Sequence, residues 1–65
     1  MQFQIDKMGC GGCARSITAT IHTLDPAADV VIDLPTKRVA VTSKADGMAI
    51  EQALSQAGFP PRRIA

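Results

Sequence analysis

Tryptophan and tyrosine are missing from this 65-residue chain, and phenylalanine occurs only as Phe3 and Phe59. A base-stacking platform for single-stranded nucleic acid needs aromatic residues interleaved with basic ones, and none is present. Charge of one sign is also lacking. Seven Lys and Arg against six Asp and Glu leave a formal net charge of +1, which argues against a nucleic-acid partner. No apolar run approaches the roughly 20 residues of a membrane span, so no membrane insertion is expected. The opening Met-Gln-Phe-Gln-Ile-Asp-Lys has neither a basic n-region nor an apolar h-region. A cytoplasmic location is therefore expected, where thiols stay reduced. Neither Asp46 nor Glu51 has a second carboxylate or a histidine placed to work with it, so no general acid–base pair is expected and the chain does not read as an enzyme. There is one histidine, His22, and no second cysteine pair, which makes a closed four-ligand zinc site a poor fit.

What is present is 46% hydrophobic residues arranged in short periodic runs. The chain reads as one small domain over residues 1–65, with a core of Ile, Val, Leu, Met and Ala. Alternation of Phe3 and Ile5 with Gln2, Gln4 and Asp6 predicts a strand over 2–7. A glycine-rich loop follows at 8–12. Ala14, Ile17, Ile21 and Leu24 recur at helical spacing and predict a helix from near Cys13 to about Leu24, ended by Asp25-Pro26. Val30, Ile32 and Leu34 mark a strand over roughly 28–34, and Pro35-Thr36 a turn. Val39 and Val41 mark a strand over about 37–43 that should pair back as a hairpin. A second helix is expected over 46–57, with Asp46 as N-cap and Ile50, Ala53, Leu54 and Ala57 on its apolar face, Met48 at the edge. Gly58 supplies the left-handed residue past its end. Pro60-Pro61 confine any last strand near Arg62-Arg63 to a sheet edge. The order strand, helix, strand, strand, helix, strand predicts an α+β, ferredoxin-like βαββαβ sandwich: a four-stranded antiparallel sheet with both helices on one face.

The chemistry concentrates in Met8-Gly9-Cys10-Gly11-Gly12-Cys13, which holds both cysteines and three of the five glycines. Two intervening residues let both sulfurs converge on one ion. The glycines allow the loop to take up positive φ. Cys13 falls near the start of the first helix, where unsatisfied N–H groups favour a thiolate. Soft sulfur ligands select Cu(I), and two of them suit a two-coordinate ion that stays open to a partner's thiols. A redox dithiol using the same pair is the alternative of another class. Met8 is expected in the core beneath the loop and not on the ion. His22 is expected as a solvated helix residue. Lys7 and Arg15 either offset the charge of a metal–bis-thiolate, guide docking on an acidic partner, or are solvated surface.

The run Met8 to Cys13 resembles the M-x-C-x-x-C motif of heavy-metal-associated domains and of small bacterial cytosolic copper chaperones. Gly58-Phe59 is similar to the Gly-aromatic step after the second helix of that family. The resemblance implies a Cu(I)-binding metallochaperone with Cys10 and Cys13 as ligands and Phe59 near them. It implies docking on the metal-binding domain of a copper-transporting P-type ATPase, followed by thiolate ligand exchange. A Cu-bridged homodimer is a further expectation, and Zn, Hg, Cd or Ag are alternative cargoes for the same fold.

Overall fold

The computed structural model describes residues 1–9 and 11–64. Its elements are β1 (Gln2–Gln4), α1 (Gly11–Leu24), β2 (Asp29–Asp33), β3 (Arg38–Thr42), α2 (Gly47–Gln56) and β4 (Arg62–Arg63). The sheet order is β2-β3-β1-β4 with every neighbour antiparallel. This is the expected ferredoxin-like sandwich.

Strand pleating decides which face the helices cover. Phe3 lies opposite Val39, and Val39 opposite Ile32, while Val41 stands opposite Val30. That face carries the buried Phe3, Val39 and Val41. Ile17 and Ile21 from α1 and Ile50 and Leu54 from α2 close over it, joined by Ile5, Met8 and Ala28. Each apolar side chain fully removed from water contributes roughly 1.5–3 kcal/mol, and this cluster holds both helices on one layer. The opposite face presents Gln2, Gln4, Arg38 and a Val31 that is 60% exposed.

Several boundaries differ from the sequence expectation. β1 ends at Gln4, not residue 7, because the chain turns through Asp6 and Lys7: Met8 N–H donates to the Ile5 carbonyl (3.1 Å). The ladder reaches one step further, with Ile5 N–H donating to Lys37 O (2.9 Å). α1 begins at Gly11, so Gly11 and Gly12 are helical and not loop. Ala57 and Met48 are exposed, so the buried face of α2 is narrower than the spacing suggested. Leu34 is likewise on the surface, in the turn after β2.

Connections are well fastened. Asp46 caps α2, its side chain accepting from Met48 N–H (3.3 Å). At the other end Gly58 N–H donates to Ser55 O (3.1 Å) and Phe59 N–H to Leu54 O (2.8 Å), with Gly58 at φ 93. That pair of bonds is a Schellman motif, which a left-handed glycine makes possible. The β2–β3 turn closes with Lys37 N–H on Leu34 O (3.1 Å), and Lys37 takes φ 58. Asp25 ties the α1–β2 connection to the segment after β3: Oδ2 accepts from Ser43 Oγ (2.7 Å) and Lys44 N–H (3.3 Å), Oδ1 from Ala27 N–H (3.0 Å).

Candidate metal centre

Antiparallel pairing sends one end of each element to the same pole of the molecule. The end of β1, the start of α1, the β2–β3 turn, the end of α2 and the start of β4 all meet there. Met8 and Gly9 lie there between β1 and α1, and Gly11 to Cys13 begin α1.

Met8 anchors it. Its side chain is fully buried in the core cluster and its N–H bonds back to Ile5 O. Cys13 is the third residue of α1, half-buried and packed against the same cluster. One wall of its surroundings is therefore apolar, which limits water on that side. The first turn of α1 contains no acidic residue that would oppose a second anionic group nearby. Cys10, the other expected ligand, lies outside the described residues. Among the described residues no group of three or more His, Cys, Asp or Glu side chains is assembled to hold a metal ion.

The other expected residues separate clearly. Phe59 comes to this pole through the Schellman turn, half-buried against the core. His22 does not. It lies in the last turn of α1, toward the opposite pole, with Nε2 2.9 Å from Ala28 O. It is half-buried and bound to backbone, a correction to the solvated residue expected. Lys7 and Arg15 are exposed at the loop's pole.

A brace that the sequence did not announce holds the corner before the loop. Arg62 Nη2 lies 3.1 and 3.3 Å from the two Asp6 carboxylate oxygens. Lys37 Nζ donates to the Asp6 carbonyl at 3.3 Å. Gln4 Nε2 donates to Thr36 O at 2.9 Å, and Arg38 Nε to Gln4 Oε1 at 3.3 Å. Asp6 follows β1 and Arg62 opens β4, and only the sheet order brings these opposite charges together.

Comparison with known proteins places this geometry in context. The heavy-metal-associated domain profile matches residues 2–60. The chain belongs to the heavy-metal-associated domain family. A gold-binding protein of known structure is 50% identical to this family member, with a TM-score of 0.93 over 95% of both chains. The copper chaperone Atx1 from Synechocystis PCC6803 is 27% identical, with a TM-score of 0.92 over 95% of this chain and 98% of its own. Atu1203 of Agrobacterium tumefaciens is 31% identical, with a TM-score of 0.84 over 95% and 97% of the two chains. Comparison with curated proteins gave no match. No described helix is long and apolar enough to cross a membrane.

Proposed function

We propose that this domain is a cytosolic carrier of a monovalent soft metal ion, Cu(I) in the first place, bound by Cys10 and Cys13. The observation that carries the reading is the position of Cys13. It opens α1 at the pole of a heavy-metal-associated fold, on an apolar wall that Met8 supports from below. A d10 ion with two thiolates satisfies its coordination without a third protein ligand.

Such an ion remains open to attack. An incoming thiolate adds to make a three-coordinate ion and one original thiolate leaves; a second exchange of the same kind frees the other, so the metal passes on without a change of oxidation state. The acceptor proposed is the metal-binding domain of a copper-transporting P-type ATPase. A second molecule of this chain, bridged through shared Cu(I), uses the same chemistry. The domain has no catalytic role of its own in this scheme.

Titration of reduced protein with Cu(I) against a competing chelator tests the reading. One equivalent should bind, and Cys10→Ser/Cys13→Ser should lose that binding. Wild-type affinity in the double variant would sink the proposal.

A second cargo has a specific argument. The gold-binding protein at 50% identity makes Au(I), an equally linear and more thiophilic d10 ion, a candidate for the same two sulfurs. Displacement of bound Cu(I) by one equivalent of Au(I), and not the reverse, would favour gold as the cargo. Zn(II), which takes four ligands in closed sites, should compete poorly with either ion.

A further inference from the structure

Charge is divided between the two poles. The loop pole carries Lys7, Arg15, Lys37, Arg38 and Arg62, five of the seven basic side chains, with Asp6 and Asp33 as its acids. The opposite pole and the first half of α2 carry Lys44 and Arg63 with the remaining four acids, Asp25, Asp29, Asp46 and Glu51. A chain of net charge +1 thus has a cationic end, and the candidate metal centre is at that end.

Pairing removes part of this charge and leaves a definite remainder. Among the described residues the one ion pair is Arg62–Asp6. Arg38 stands opposite Asp33 in the β2–β3 ladder. Lys7, Arg15, Lys37 and Arg38 make no ion pair among the described residues, and the first three come from the loop, the helix and the hairpin turn at the same pole.

The brace at the corner before the loop uses one donor of the Lys37 ammonium and leaves its charge in place. Arg15 lies in the second turn of α1, far from the C-terminal turn where a cation would complement the helix dipole. Lys37 holds φ 58, a conformation that is costly for any residue with a Cβ and common only for Gly and Asn. Its Nζ reaches a carbonyl, Asp6 O, which orients the ammonium toward the loop but does not neutralise it.

We infer that this cationic rim receives the metal as an anionic complex of a small thiol that bears carboxylates. The inference rests on the carrier reading above. Cu(I) between two thiolates carries one negative charge, and every carboxylate on the carrier molecule adds another. Cations from three separate elements focus their field on the point where that anion must arrive. In the exchange, two Cu–S bonds to the small thiol break and two to the protein's cysteine sulfurs form. Copper stays Cu(I), and the departing thiolates take up the protons that the cysteine thiols release. The rim also offsets the negative charge of the product site, so one set of residues serves capture and retention.

The test is the rate of loading reduced protein from two carriers with the same sulfur donor. One is Cu(I) bis(mercaptosuccinate), which is strongly anionic, and the other Cu(I) bis(2-mercaptoethanol), whose substituents are neutral. Loading from mercaptosuccinate should slow about tenfold between about 20 and about 200 mM salt, and about tenfold at low salt in Lys7→Gln/Arg15→Gln/Lys37→Gln. Loading from mercaptoethanol should change by less than about twofold under the same comparisons. Restoring charge with Arg at position 37 should recover part of the rate, and Lys44→Gln at the opposite pole should alter neither carrier's ratio. Equal effects on both carriers, or no salt dependence, would overturn the inference while leaving the carrier reading intact. Unchanged loading with slower transfer to an acidic protein domain would overturn it in favour of macromolecular docking. Uptake from neither carrier would overturn both.

Discussion

Met8 and Lys37 show what a single residue contributes to this centre, and they do so in opposite ways. Met8 is fully buried beneath the loop, so its contribution is packing. Met8→Leu conserves volume and should change stability by less than about 1.5 kcal/mol. Met8→Ala opens a cavity and should cost about 2–5 kcal/mol in urea unfolding. If the thioether were a ligand, Met8→Leu would weaken Cu(I) binding although the protein stayed folded. The packing role predicts unchanged Cu(I) affinity for Met8→Leu. The burial of Met8 was legible in the sequence, since an unbranched apolar residue beside glycines has few other places to go. The conformation of Lys37 was not. It is imposed by closing a turn between Asp33 and Arg38, and nothing in the residue type announces it.

At the scale of elements, the two helices differ in how openly their ends are written. Both ends of α2 are marked by residues with one physical role each. Asp46→Ala should cost about 1 kcal/mol by removing the cap. Gly58→Ala should cost about 1–2 kcal/mol, because φ 93 is strained for a Cβ-bearing residue although no atom blocks the added carbon. Both values are readable from denaturant midpoints, and the two changes should add, since they act at opposite ends of the helix. The start of α1 was misplaced by two residues because Gly11 and Gly12 are poor helix formers, each about 1 kcal/mol worse than alanine. Tertiary packing of Ile17 and Ile21 overrides that preference. The consequence is functional: Cys13 falls within the first turn of α1 and not in a loop before it. β4 is the reverse case. Two prolines before it leave only Arg62 and Arg63 to pair with β1, and the strand also delivers Arg62 to Asp6.

The whole molecule is held at the pole away from the loop by Asp25. Hydrogen bonds from Ser43 Oγ first, then from Ala27 N–H, keep its carboxyl below the ordinary aspartate value of 3.8. A depressed carboxylate stabilises the fold fully above its unfolded value and loses that contribution as pH falls through the folded one. Stability should therefore decline below about pH 4, and Asp25→Asn should flatten that acid limb in urea midpoints collected from about pH 6 to about pH 2. An unchanged acid limb would show that the tie carries no linkage. The exposed Arg62–Asp6 pair should contribute little to the same curve, as surface pairs do. The four-stranded antiparallel sheet and both helices on one layer were legible from element order alone. The brace across Gln4, Asp6, Lys37 and Arg62 was not, because each of these bonds joins residues more than thirty apart that meet only through strand pairing.

The same pairing fixes where the chain ends. Met1 N donates to Val41 O (3.0 Å) and Ile64 N–H to Gln2 O (2.9 Å), both at the pole opposite the loop. Any polypeptide joined to either terminus leaves from the far side of a body measuring 26 × 22 × 20 Å. A fluorophore fused there reports on the protein without standing in front of the thiols. Tethering the chain to a bead or surface by its end presents every copy with the start of α1, where Cys13 lies, turned away from the support.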